Sequence, residues 1–211
     1  MVSTMERILF CLVIFLVTPM VAQATSYDFA YVKGSTQIVG LGSQLQLDVT
    51  NGSGVVNFTF SDNGAITSDI FGIYFGSSQE HFPLVFSSFS HTGVVDYLAN
   101  SGTPDQLPGG TFTTDWRAIA NHPAPKNGVN NGPADSLTIS FSGLSLSDVI
   151  SEINSGTLSI GLHVAGVSGL SYAYEISPTP ASGLAPTPEP ATMLLFGVGL
   201  AGFAGWRLKK E

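Results

Sequence analysis

Residues 43–64 read SQLQLDVTNGSGVVNFTFSDNG, and two runs of alternation lie within them. In the first, Leu45, Leu47 and Val49 fall on one side and Gln44, Gln46 and Asp48 on the other. In the second, Val56, Phe58 and Phe60 oppose Asn57, Thr59 and Ser61. A period of two sends successive side chains to opposite faces of a strand, so each run predicts a strand with one dry and one wet face. Asp62-Asn63-Gly64 then supplies turn chemistry, because Asn and Asp bond their own backbone and Gly tolerates positive φ.

Working outward, the same signature recurs in YDFAYVKG, FGIYFGS, LVFSSFS, VVDYLA, SLTISFSG, LSIGLHVAGV and LSYAYEIS, which makes nine such segments. Each is short, rich in β-branched and aromatic residues, and bounded by Gly, Ser, Asn or Pro. Parallel strands would need a helix between most of them, and the sequence does not supply those helices. The pattern predicts an all-β, antiparallel sandwich or jelly-roll-like body. One helix is expected in SLSDVISEINSG: Ser145 with Asp148 resembles a capping box, Leu146, Val149, Ile150 and Ile153 share a face, and Gly156 stops it. Its place is across one end of the sandwich.

Residues 100–135 are dense in Gly, Pro and Asn and read as long surface loops, where binding function concentrates. Between them lies TTDWRAIAN. Its Trp116, with Tyr97 and Asp115, is the candidate ligand platform for a sugar ring, while burial in the core is the competing expectation for a lone large aromatic. Asp62, Asn63 and Asp69 are close enough in sequence to make calcium a candidate, although the spacing is not that of a calcium loop. No other cofactor is implied. The four His residues stand apart, and no zinc pattern or nucleophile elbow occurs. His163 alternates with Leu162 and Val164 and reads as half-exposed. The acids give no privileged pair for glycoside hydrolysis, so the body is read as non-enzymatic.

The ends of the chain differ from its middle. Arg7, the apolar run Ile8–Val17, Pro19 and the small-residue site Ala22-Gln23-Ala24 make residues 1–24 a signal peptide with cleavage set by Ala22 and Ala24. Cys11, the single cysteine, leaves with it, so the mature body must be stabilised by its core rather than by disulfides. Residues 25–177 are then one β-sandwich-like extracellular domain. Between Thr25 and Thr187 three basic residues face twelve acidic ones, a net charge of −9 with His neutral. That surface repels nucleic acid and anionic lipid, and is compatible with partners that carry cations or with neutral polyols such as sugars.

Residues 178–187 continue into a proline-rich, extended linker. Pro188-Glu189-Pro190 follows, then sixteen uncharged residues from Ala191 to Trp206. As a helix these cover about 24 Å, enough to span a bilayer with slight accommodation. Gly197, Ala201 and Gly205 form a small-residue stripe suited to packing in lipid. Arg207, Lys209 and Lys210 are a basic stop that stays in the cytoplasm. The letters GVGLAG at 197–202 match a dinucleotide fingerprint but lack the βαβ context that phosphate binding requires.

A P-E-P triplet, one apolar span and a basic terminus, in that order, resemble the PEP-CTERM sorting signal of bacterial exported proteins, here residues 188–211. The resemblance implies recognition of Pro188, Glu189 and Pro190 by exosortase, a membrane cysteine enzyme, with the tail removed near the motif. It implies a precursor held transiently in the inner membrane, then a surface or extracellular protein associated with exopolysaccharide and biofilm. The segment LSLSDVISEINSGTLSIGLHVAGV is similar to one seen ahead of such tails. The alternatives are a carbohydrate- or calcium-binding lectin-like module and, behind it, a secreted hydrolase.

Overall fold

The computed structural model describes residues 24–178, except 35, 78–82, 101, 103, 124, 125, 133 and 134. The signal peptide, linker, sorting motif and apolar span inferred above lie outside the described residues, as do Ala22, Pro188, Glu189, Pro190, Gly197, Ala201, Gly205, Arg207, Lys209 and Lys210.

The alternating runs become strands, and every pairing is antiparallel. In chain order they are β1 (Ala24–Lys33), β2 (Leu45–Asn51), β3 (Val55–Asp62), β4 (Asp69–Ser77), β5 (Val85–Thr92), β6 (Tyr97–Ala99), β7 (Thr113–Ala120), β8 (Val129–Asn130), β9 (Ser136–Ser142), β10 (Leu158–Val167) and β11 (Leu170–Ile176). They join in the order β5-β9-β3-β2-β1-β11-β10-β4-β7-β6, with β8 beside β4. This corrects the expected sandwich: its two layers belong to one curled sheet. β1 is the seam. Ala24–Asp28 pairs with β2, whereas Phe29–Lys33 pairs with β11.

The layers meet through the dry faces that the alternation predicts. Phe58 of β3 lies edge-on to Phe75 of β4 at 5.2 Å, and Phe141 of β9 lies 5.0 Å from Trp116 of β7. Leu45, Leu47, Val49, Val56, Phe58 and Phe60 are all fully buried. Helix α2 (Leu146–Ser155) starts where expected: the Asp148 N–H donates to Ser145 Oγ at 3.2 Å, and Gly156 ends it in the left-handed region at φ 76°. Val149 and Ile153 insert into the core, and Tyr27 Oη donates to Asn154.

Three features were not expected. Helix α1 (Leu41–Gln44) is a single turn before β2, and it draws Gln44 off the wet face into the interior. β7 occupies TTDWRAIA, and β8 is a two-residue strand.

Candidate functional site

The outer face of the second layer is covered rather than bare. Tyr74, Ile119 and Ala173 point outward and form a small apolar cluster with Leu107, against which Val32, Phe71 and Phe112 pack. Residues 104–112, within the stretch 100–135 expected as long surface loops, are the cover. Gly161 makes it possible, since a Cβ there would lie 2.4 Å from Leu107 Cδ2. Polar contacts latch the cover at several points. Tyr74 Oη donates to Pro104 O, Thr111 N–H and Oγ1 donate to the two Glu175 oxygens at 2.6 Å, and Arg117 bridges Asp105 at 2.9 Å. Desolvation raises the Tyr74 hydroxyl above its ordinary range.

Beside the cover lies a cleft of about 290 Å³ lined by Lys33, Gly34, Pro108, His163, Ser171, Tyr172 and Ala173. It gathers residues far apart in sequence because β1, β11 and β10 are neighbours. His163 is half-buried against the edge of Phe71 at 5.2 Å. Its Nδ1 is buried without a hydrogen-bond partner among the described residues, and desolvation lowers its pKa. No local motif marked this cleft, since its residues meet only through strand pairing.

A second polar group lies where β3 passes to β4. Gln44 Nε2 donates to Asp62 Oδ1 at 2.6 Å, to Ile66 O at 2.8 Å and to Ser68 Oγ at 2.9 Å; Ser68 Oγ donates to Asp62 Oδ2 at 2.6 Å. Asp62 is fully buried, and desolvation pushes it up to about 6 against the hydrogen bonds that favour its charge. The group is an internal clasp.

The candidate calcium residues do not converge. Asp62 faces inward to this clasp, and the Asn63 amide donates outward to Gln46 and Ser61. Asp69 feels Asp135, while Asn130 Nδ2 donates to Asp135. Among the described residues no three His, Cys, Asp or Glu side chains are grouped to hold a metal.

The candidate sugar platform is likewise corrected. Trp116 is 4 % exposed and Tyr97 is 6 % exposed. The indole stacks on Phe86 at 5.4 Å and contacts Phe75, Phe89 and Phe141. Tyr97 Oη donates to Ile70 O and accepts from Val129 N–H. Asp115 is partly exposed on β7, whereas the two rings proposed beside it are buried. Trp116 and Tyr97 were the right size to be anchors, but their strand positions face the core.

The described body therefore defines a class by architecture: a two-layered antiparallel body with a cysteine-free core. The chain's own assignment comes from its tail: residues 186–210 match the family model of the PEP-CTERM protein-sorting motif, so the chain carries that signal. The motif makes it an exported protein sorted by exosortase, transiently anchored in the membrane before processing. No curated protein and no solved structure matches the chain significantly. Among the described residues no helix is long and apolar enough to cross a membrane.

Proposed function

We propose that this chain is a non-catalytic surface or extracellular-matrix protein whose tail is cut near Pro188–Pro190 and whose body then associates with extracellular polysaccharide. The observation that carries this reading is the sorting motif at residues 186–210, placed after the last strand closes at Ile176. The apolar run at 8–17 and the small residues Ala22 and Ala24 support export by a cleaved signal. One feature supports a non-catalytic body: Asp62, a fully buried carboxylate, is engaged in an internal clasp with Gln44 and Ser68.

Intact mass and fractionation, with and without exosortase, test the reading. The expected result is loss of residues 1–24 in both strains and exosortase-dependent loss of a segment starting near Pro188. A mature surface protein that keeps its full tail would overturn it.

A further inference from the structure

Among the described residues, no segment packs over the outer face of the first layer as residues 104–112 pack over the second, and its chemistry is unusual for a solvated sheet face. Register places its outward residues in rows that run across the strands. One row is Ser26, Asp48, Thr59, Thr138 and Ser90; the next is Asp28, Gln46, Ser61, Ser136 and Thr92; a third holds Thr50, Asn57, Ser140 and Ser88. Hydroxyls and amides dominate, no Lys or Arg occurs, and the carboxylates Asp28 and Asp48 are confined to the β1–β2 margin. An exposed antiparallel face ordinarily mixes charged side chains of both signs. Most positions in these three rows both donate and accept, while Val55 and Val85, on either side of Ser142, make the row beyond them partly apolar.

The rows are pre-ordered. Thr59 and Thr138 share a hydrogen bond at 2.8 Å, Ser140 Oγ donates to Asn57 Oδ1 at 2.8 Å, Thr92 and Ser136 pair at 3.0 Å, and Ser26 Oγ donates to Asp48. A hydroxyl has one hydrogen and two lone pairs. The Thr59–Thr138 pair therefore keeps hydrogen-bonding capacity after its internal bond, and its side chains are already held in place. Adjacent strands lie about 4.8 Å apart, so a five-strand row offers one polar group per strand over about 19 Å.

We infer that this hydroxyl-and-amide face is a docking surface for a neutral, extended polysaccharide lying across the strands. The match is in hydrogen-bonding character and charge: a neutral polyol donates and accepts along its length, as the rows do. Polyanions are repelled by the net charge of −9 between Thr25 and Thr187. A nonpolar partner would strand the hydroxyls without bonds. Each contact is weak, and affinity arises from many contacts along one chain. The inference deepens the matrix reading proposed above and rests on the body reaching the exterior, but its test is independent of sorting.

The full chain, purified in detergent, is passed over insoluble cellulose and over agarose at low and at high salt. The expected result is retention on at least one of them that is insensitive to salt, because the rows carry little charge. The double variant T59V/T138V keeps β-branched side chains and removes two hydroxyls, and should bind roughly tenfold more weakly. Ser90→Lys, on the exposed edge strand, gives a second disruption with minimal risk to folding. Lys126→Ala, at an exposed position outside the rows, should leave retention unchanged. The inference is overturned if neither polysaccharide retains the wild-type chain, if T59V/T138V and Ser90→Lys bind as well as wild type while circular dichroism shows both folded, or if salt abolishes retention. Self-association that Ser90→Lys abolishes, without polysaccharide binding, would identify a second copy as the occupant and equally overturn it.

Discussion

The two outer faces of the curled sheet are finished in opposite ways. On the second layer, Tyr74, Ile119 and Ala173 point outward, and residues 104–112 shield them. On the first layer, Thr59, Thr138 and Ser90 point outward, and rows of hydroxyls reach the surface. The difference lies in what each face loses in water. Apolar side chains gain by burial, so the second layer needs a cover and gains stability from it. Hydroxyls are already satisfied at the surface, so the first layer is free to serve something other than stability.

That comparison can be broken or sharpened by substitution. The largest effect is expected at the residue both layers share: Trp116→Ala should cost about 3–5 kcal/mol in chemical denaturation. A loss under 1 kcal/mol would mean the indole is not the wedge between Phe86 and Phe141. Leu107→Ala, the apolar anchor of the cover, should cost about 2–4 kcal/mol and speed proteolysis of residues 104–112. Asp62→Ala, at the passage between layers, should cost about 1–3 kcal/mol by removing the carboxylate to which Gln44 and Ser68 both donate. Asp62→Asn tests the same clasp through pH. Asp62 sits at about 6 when folded, above its unfolded value near 3.9, so its contribution is full below about pH 4 and is lost as pH rises through 6. Stability measured from pH 4 to 7 should therefore lose that downward slope in Asp62→Asn; an unchanged slope would assign it to another group. Smallest of all, Thr138→Val on the bare face should shift stability by no more than about 0.5 kcal/mol. A large loss there would show that the rows hold the fold together and are not a free surface.

The sequence foretold the first face better than the second. Alternation in residues 45–49 and 56–60 placed Leu45, Leu47, Val49, Val56, Phe58 and Phe60 inside correctly, but missed Asp62, the buried last residue of β3. LSIGLHVAGV became β10 without a change of boundary, and the Ser145–Gly156 signals bracketed α2. β7 was hidden because both of its faces are buried in part: Trp116, Ala118 and Ala120 point inward while Ile119 points outward under the cover, so the period of two disappears. Gln44 misled for the opposite reason. It continues the polar register of Gln46 and Asp48, but a helical turn intervenes and carries it inside. The site followed the same rule. The sorting motif is contiguous and could be read directly, whereas the cleft and the hydroxyl rows exist only through strand register.

The seam at β1 also sets an order in time. The first described strand finds half of its partners in β11, the last strand before the linker, with Phe29 opposite Ile176. Such distant pairing belongs to folds that close slowly, on the order of milliseconds to seconds. A chain cut short before Leu170 would leave β1 and β10 each without a neighbour and both layers with raw edges. Closure thus acts as a proof of completeness: the body can finish folding only in a chain synthesised almost as far as its own address label.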